Sequence, residues 1–321
     1  MVGKEFYERF EEFQRKEMLV NGVKIFDTFA EAFPMRATRL IVTAYNAKWA
    51  MYGASSMTGF ATSVIACGCE AAVETTLTAD ETPDSRPGVS VLVFAVSSKE
   101  LAKQVENRVG QCILTCPSSS VFNGMPEGKE FALVKNLRFF GDGWQISKVI
   151  RNKRYWRIPT MDGEFVGEEN ARYKTAIGGG NILILAEDIQ SALHISEIGV
   201  GEINNLENVI APFPGGVVRS GSKVGSKYKA LVASTNDKYC PALIGITEGS
   251  MLTESVGCVL EIVIDGLSEE DIKIAMFKAM KKMVGVGREK GLIGLSAGNY
   301  GGKLGPHHFH LRDILTNYEL E

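Results

Sequence analysis

One carboxyl group stands in an otherwise apolar stretch of the sequence. In VLEIVIDG, Glu261 is flanked by Leu260 and Ile262. Its alternate neighbours, Val259 and Val263, are apolar as well, and a strand of this composition is typical of one buried on both faces. Because burial raises the pKa of a carboxyl group, Glu261 is the candidate catalytic residue, a proton donor near neutral pH. The alternative is an exposed glutamate on an edge strand that discourages aggregation.

A second group of polar residues lies in the glycine-rich segment PFPGGVVRSGSKVGSKYK. Its glycines allow the backbone to approach a ligand closely, and its serines and lysines are donors that suit carboxylates and phosphates. We expect this loop to bind anionic substrate tails, and a solvated surface loop of the same composition is the alternative. The predicted substrate-binding residues are Phe213, Gly215, Gly216, Ser220, Ser222 and Lys223 in this loop, and Asn299 in the later segment AGNYGGKLG.

The cysteines and histidines form no recognisable metal site. The six cysteines include no two paired Cys-x-x-Cys units, and we interpret them as reduced core thiols. In GPHHFHL, His308 and His310 would share one face of a strand, an arrangement that a solvated or edge strand explains. No Gly-x-Ser-x-Gly elbow is present, and no histidine is visibly placed to activate a serine or cysteine nucleophile.

Two glycine-rich segments do not fit nucleotide-binding motifs. IGGGNILIL has its glycines before a strand, whereas a dinucleotide-binding loop follows a strand and opens a helix. In AGNYGGKLG, Ala297 stands where a P-loop needs its first glycine, and Leu304 stands where it needs Ser or Thr. The sequence therefore does not support ATP or dinucleotide binding.

Composition excludes several classes of protein. The chain has 321 residues, 45% of them hydrophobic, which is typical of a globular protein with a substantial core. A formal net charge of −3 provides no excess positive field for nucleic acid. No apolar run approaches the roughly 20 residues of a membrane span, and the N-terminus does not resemble a signal peptide, so we expect a cytoplasmic protein. Phe6, Phe10 and Phe13 recur at helical spacing and predict an amphipathic leader over residues 1–20.

The order of the predicted elements indicates two similar halves. TRLIVTAY, ATSVIACGCEAAVE, VSVLVFAV and CILTC are predicted strands of the first half, with helices from Asn46 and in KELAKQVENRVG. In the second half, NILILAE, NVIAPFP, YKALVAS, CVLEIVIDG and LIGLSAGNY are strands, and SEEDIKIAMFKAMKKM is a helix capped by Ser268. The pattern predicts an α+β fold with two ferredoxin-like, split βαβ lobes and mostly antiparallel sheets. We place the lobes at residues 21–165 and 166–321, because residues 139–180 are rich in turns.

Between Asn21 and Leu315 the sequence resembles a known enzyme family in segment after segment. The segments are DTFAEAF, TGFATSVIACGCEA, DETPDSRPG, VGQCILTCP, FFGDGW, IPTMDGEF, PFPGGVVRSGSKVGSKYK, ASTNDKYCP, LEIVIDG and SAGNYGGKLG. Together they resemble formylmethanofuran:tetrahydromethanopterin formyltransferase. TGFATSVIACGCEA and VRSGSKVGSKYKALVASTND are most similar to the form in methylotrophic bacteria, the formyltransferase component of a formyltransferase/hydrolase complex.

The resemblance implies a two-lobed enzyme that transfers a formyl group between the amine of methanofuran and N5 of tetrahydromethanopterin. These carriers are substrates, and no tightly bound cofactor is expected. The residues suit this chemistry, because the acceptor nitrogen itself attacks and only alignment, oxyanion donors and one proton-moving group are needed. Glu261 lies in the matching segment. The resemblance also implies a homo-oligomer and, for the bacterial form, association with hydrolase subunits.

Two rival functions remain open from the sequence. The first is a non-catalytic pterin-binding scaffold for a hydrolase partner, which would keep the anion-binding loop and need no acid. The second is a formyltransferase that uses a different pterin, which would keep the chemistry and change the pocket.

The cysteine and histidine spacing leads to a first prediction. We expect the purified protein to contain no stoichiometric metal and to keep its formyl-transfer activity in chelator, because the sequence contains no common ligand pattern. Elemental analysis before and after chelation, with activity measured in parallel, checks this. One zinc or iron per chain, or activity that chelator removes and metal restores, would contradict it.

Overall fold

The computed structural model of the chain describes residues 18–219, 221–231, 233–303 and 305–317. Strands dominate these residues. In chain order they are β1 (Met18–Val20), β2 (Val23–Ile25), β3 (Phe29–Thr43), β4 (Glu70–Leu77), β5 (Gly88–Ala95), β6 (Ser120–Asn123), β7 (Lys129–Ala132), β8 (Ile146–Ile150), β9 (Lys153–Thr160), β10 (Gly163–Glu168), β11 (Asn170–Ala186), β12 (Val209–Ile210), β13 (Ser222–Val224), β14 (Ala233–Thr235), β15 (Cys258–Gly266), β16 (Leu292–Ser296) and β17 (His307–His310).

Five of the six described helices begin at a polar residue whose side chain caps the first turn. The six are α1 (Ala47–Thr58), α2 (Val64–Cys67), α3 (Ser98–Arg108), α4 (Ile189–Ile203), α5 (Glu269–Val286) and α6 (Leu311–Asn317). The predicted cap of α5 is confirmed, since Ser268 Oγ accepts a hydrogen bond of 3.1 Å from the Asp271 amide. The predicted stripe of α5, from Ile272 to Met283, is buried. None of the described helices has the length and apolarity that a membrane span requires.

One long strand connects the two halves of the fold. β11 pairs with β3 and β7 of the first half and with β15 and β16 of the second. The pairs β6 with β10 and β2 with β16 are parallel, and the other pairs of described strands are antiparallel. α1 and α3 cover one apolar core over β5, whereas α4 and α5 cover a second core over β11 and β15. The predicted α+β fold with two lobes and mostly antiparallel strands is confirmed.

Several predicted elements differ from the structure. CILTC is not a strand: residues Val109–Ile113 continue α3 as a single π-helical turn, which buries Val109 and Ile113, and the returning strand is β6. The first half of ATSVIACGCEAAVE forms α2, because Ser63 caps it and Gly68, at φ 75°, ends it. The predicted strand YKALVAS is shorter and forms only β14, which pairs with β13.

The structure also bears on the predicted leader and on the predicted boundary between the lobes. Residues 1–17 of the leader lie outside the described residues. Met18–Val20 form strand rather than helix, since Asn21 and Gly22, both at positive φ, make a tight turn that pairs β1 with β2. The boundary placed between residues 165 and 166 falls inside β10, which pairs with β9 and β6.

Two buried carboxyl groups, one from each half of the chain, face each other beside β11. Asp265 is fully buried and Glu70 is 8% exposed. Asp265 Oδ1 accepts a hydrogen bond of 3.1 Å from the Gly179 amide, whereas its Oδ2 has no hydrogen-bond partner among the described residues. Position 178 has no room for a side chain, since a Cβ atom there would lie 2.9 Å from Asp265 Oδ1. Burial raises the pKa of both groups, and the neighbouring charge of Glu70 raises that of Asp265 further.

This pair predicts how stability depends on pH. Folding raises the pKa of such a carboxyl group above its unfolded value of about 4. Its contribution to stability is complete below that unfolded pKa, and it is lost as the pH rises through the pKa of the folded state. We expect the free energy of unfolding to be lower at about pH 8 than at about pH 5, and Glu70→Gln to reduce this difference. Denaturant titrations at both pH values check this, and an unchanged pH dependence in the variant would contradict it.

Candidate active site

Glu261 lies in the middle of the sheet and not on an edge. Leu183 of β11 is opposite Glu261 on one side. On the other side, Val218 exchanges two backbone hydrogen bonds with Glu261, of 2.8 and 2.9 Å. The alternative of an edge-strand glutamate is therefore wrong, because both backbone edges at this position are paired. The side chain is half-buried, and the loss of surrounding water raises the pKa of its carboxyl group to about 7.

The Glu261 side chain borders a cavity of about 450 Å³. The walls come from β11 and β15, from the residues just before β3 and just after β16, and from the loops that contain β13 and β14. The lining residues are Thr28, Asn181, Leu183, Gly221, Ser222, Lys223, Asn236, Asp237, Lys238, Tyr239, Met251, Glu261, Ala297, Gly298, Asn299 and Tyr300. A smaller space of about 30 Å³ adjoins the other side of Glu261 and is bordered by Arg219 and Cys240.

Polar groups around Glu261 are held by hydrogen bonds to the scaffold. Asn181 accepts a hydrogen bond of 2.6 Å from the Gly298 amide and donates one of 3.1 Å to the Gly298 carbonyl. The Tyr239 hydroxyl lies 2.8 Å from Ser296 Oγ. Burial raises the pKa of Tyr300, and the charges of Glu261 and Glu31 raise it further. Tyr239 and Tyr300 therefore remain protonated near neutral pH and are available as hydrogen-bond donors.

The serine- and lysine-rich loop contributes to the mouth of this cavity. Ser222 and Lys223 belong to β13 and line the cavity, as predicted substrate-binding positions would. The Lys223 ammonium lies 2.8 Å from Asp237 Oδ1, and this contact lowers the pKa of the Asp237 carboxyl. Lys238 lines the cavity as well, so two lysines and one aspartate face the same opening.

Other predicted substrate-binding residues have different positions. Asn299 lines the cavity, but its Nδ2 donates to Thr28 Oγ1 at 3.0 Å and to the Phe29 carbonyl at 3.2 Å. Phe213, Gly215 and Gly216 lie in a turn that does not border the cavity, where Gly216 packs against α4. Ser220 lies outside the described residues.

Sequence reasoning missed Asn181, Tyr239 and Tyr300, which line the cavity, and Glu31, which lies behind it. Glu31 carried a usable signal, because it is a carboxyl group within the apolar segment FAEAF, just as Glu261 is within LEIVID. The polar residues of the cavity wall carried none, since single asparagines and tyrosines are common on ordinary surfaces.

Among the sulfur and imidazole groups, Cys240 borders the small space beside Glu261, and His307 Nδ1 lies 2.6 Å from Glu269 Oε1. All six cysteines are unpaired by disulfides, and Cys67 and Cys69 are buried. His308 and His310 are exposed on β17, where both rings stack on Phe29. Across the described ranges, no cluster of three or more His, Cys, Asp or Glu side chains is arranged to hold a metal ion.

Comparison with known proteins identifies relatives along nearly the whole chain. The family model of formylmethanofuran-tetrahydromethanopterin formyltransferase matches residues 18–160, and a second model, the proximal lobe of the same family, matches residues 163–314. A curated formylmethanofuran–tetrahydromethanopterin formyltransferase from Methylobacillus flagellatus is 58% identical over 303 residues, which cover 93% of this chain and 100% of that protein. A protein named as one component of the formyltransferase/hydrolase complex of Methylorubrum extorquens is 48% identical, over 93% of this chain and 98% of that protein.

Two solved structures share the fold. The crystal structure of the formyltransferase/hydrolase complex from Methylorubrum extorquens with methylofuran matches with a TM-score of 0.91 at 48% identity, over 93% of this chain and 99% of that chain. The formyltransferase from Methanosarcina barkeri matches with a TM-score of 0.87 at 44% identity, over 92% of this chain and 100% of that chain. With two family models and these relatives covering the same residues, the chain belongs to the formylmethanofuran-tetrahydromethanopterin formyltransferase family.

Proposed function

We propose that this protein transfers a formyl group between the amine of a methanofuran-type carrier and N5 of tetrahydromethanopterin, by direct attack within a ternary complex. The relatives named above carry this activity in their names. The observation that carries the mechanism is the position of Glu261, a carboxyl group with a pKa of about 7 in the wall of a polar cavity.

The reaction needs one proton to move and no nucleophile from the protein. The acceptor nitrogen attacks the formyl carbon, the carbonyl oxygen becomes an oxyanion, and the bond to the donor nitrogen then breaks. Glu261 gives its proton to the departing amine and takes up the proton that the attacking amine releases, which a group with a pKa near the working pH does well in both directions. Tyr239 and Tyr300, held beside Glu261, are candidate donors to the oxyanion. The described lining of the cavity contains no histidine, so a histidine-activated nucleophile has no counterpart there.

The mouth of the cavity suits anionic carrier tails. Lys223 and Lys238 supply ammonium groups, and Gly221 and Ser222 line the same cavity. Because Asp237 already contacts Lys223, a carboxylate or phosphate on a carrier would compete for the same ammonium group. The carriers are substrates here, and the proposal includes no tightly bound cofactor.

Surface strand β8 supports self-association. It ends the main sheet with one backbone edge unpaired in the described part of the chain, and all five of its residues are exposed. Ile146, Val149, Ile150 and the nearby Trp144 add apolar surface to this edge. A second copy of the chain can cover such an edge by extending the sheet. Hydrolase subunits are further proposed partners, because one relative is named as part of a formyltransferase/hydrolase complex.

Glu261→Gln tests the proposed mechanism. The amide keeps the shape of the side chain but cannot titrate, and general acid-base catalysis is typically worth about 10² to 10⁴-fold. We expect kcat to fall by that order while both carriers still bind. Because Glu261 enters the reaction protonated, kcat of the wild type should decrease as the pH rises through about 7, and this pH dependence should be absent from the variant.

Glu70→Gln is the matched control, because it removes another buried carboxyl group of the same sheet that does not line the cavity. Steady-state kinetics with both carriers and thermal unfolding of the two variants decide the outcome. Near-wild-type kcat in Glu261→Gln would make Glu261 a structural residue. A wild-type protein that binds the pterin but transfers no formyl group would instead favour the scaffold function.

Lys223→Ala tests the anion-binding role of the loop. Contacts to a carrier tail stabilise the ground state and the transition state alike, so KM for one carrier should rise about 10-fold while kcat changes little. The increase should be smaller at high salt, because the contact is ionic. Lys229→Ala, at an exposed position of the same loop that does not line the cavity, is the control. A loss of kcat at unchanged KM would place Lys223 in the chemical step instead.

A further inference from the structure

Behind the cavity, one buried carboxylate holds the loop that carries Tyr300. Glu31 is only 1% exposed. Its Oε2 accepts hydrogen bonds from the backbone amides of Tyr300 at 2.7 Å and Gly302 at 2.9 Å, and its Oε1 accepts one of 2.7 Å from Gly305. Three backbone donors converge on one charged acceptor, and hydrogen bonds of this type are about twice as strong as those between neutral groups.

Two other hydrogen bonds reach the same turn: the Gly301 amide donates to Asn299 Oδ1 at 3.2 Å, and the Gly305 carbonyl lies 3.0 Å from His308 Nε2. Gly301 and Gly302 have φ values of 75° and 70°, so the loop turns through left-handed backbone that glycine accepts readily. Asn181 and Asn299 hold its first residues, whereas the turn after Tyr300 is held by Glu31. The result is that the Tyr300 side chain lies in the cavity wall with Glu261.

We propose that Glu31 is a positioning residue for formyl transfer: its carboxylate fixes the described loop residues 298–303 and 305 so that Tyr300 lies in the cavity wall with Glu261. The inference rests on the proposed function and adds a residue that does not itself border the cavity. When this loop is held, Tyr300 keeps water away from Glu261 and keeps its own hydroxyl group in place. When it is released, water reaches the Glu261 carboxyl and the alignment of the carriers is lost.

Glu31→Gln is the direct test, since the amide retains the shape but presents an NH₂ group to one of the backbone donors. A misplacement of about 1 Å in an active site can cost about 10²-fold, so we expect kcat/KM to fall about 10- to 100-fold. The pH at which kcat has fallen to half its maximum should move below the wild-type value of about 7, because Glu261 becomes better hydrated and its pKa decreases. Hydrogen-deuterium exchange should accelerate in peptides that contain residues 298–305.

Two further variants separate positioning from a general loss of stability. Glu74→Gln is the control, because Glu74 is a buried carboxylate that also accepts a backbone hydrogen bond, from Asn208 at 2.7 Å, far from the cavity lining. Glu74→Gln should change neither the pH dependence of kcat nor hydrogen-deuterium exchange in residues 298–305. In a Tyr300→Ala background, Glu31→Gln should reduce kcat/KM much less than in the wild type, because the side chain that it positions is already absent.

The outcomes are distinguishable. The positioning role would be overturned if Glu31→Gln reduced kcat/KM equally in the wild type and in Tyr300→Ala. It would also be overturned if Glu31→Gln left the pH dependence of kcat unchanged. If Glu31→Gln does not fold, Glu31→Asp, which keeps the charge but shortens the side chain, should show the same non-additivity and the same local exchange. If the wild type transfers no formyl group, the proposed function fails, while the exchange data still report whether Glu31 holds the loop.

Discussion

The burial of one carboxyl group against the backbone of the central sheet is the constraint on which the site depends. Glu261 is half-buried, and the backbone of β15 at this residue is paired on both sides, with β11 and with Val218. This pairing leaves the backbone satisfied and allows the side chain alone to face the cavity. A carboxyl group on an exposed edge would have an ordinary pKa and would be a poor proton donor near neutral pH.

The same sheet brings the remaining polar groups to Glu261. Asn181 lies two residues from Leu183 on β11, and Ser296 lies opposite Leu183 on β16, so one stretch of β11 sets the positions of both. Their side chains fix Gly298 and Tyr239, and Glu31 of β3 fixes the loop after Tyr300. The three neighbouring strands therefore act as a frame, and the two loops that they hold form the walls in which two carriers can meet.

Local signals in the sequence were sufficient for the elements that depend on local chemistry. The cap at Ser268 and the apolar stripe of α5 predicted that helix, and the apolar run around Glu261 predicted β15. Local signals failed where tertiary packing decides, since the apolar CILTC continues a helix into the core. Phe213 does not border the cavity, and its predicted role in substrate binding stays a prediction. Asn181 and Tyr300 come together from positions more than a hundred residues apart, and no local pattern marks such a contact.

The central claim is that Glu261 titrates near neutral pH inside the folded protein. Infrared difference spectroscopy of the carboxyl C=O band, recorded as a function of pH for the wild type and for Glu261→Gln, measures this directly. Subtraction of the variant removes the signals of the other buried acids, Glu70 and Asp265. We expect a single band in the difference that is lost with a midpoint of about pH 7. A Glu261 carboxyl that is already ionised at about pH 5, one unit above its ordinary pKa, would contradict the account.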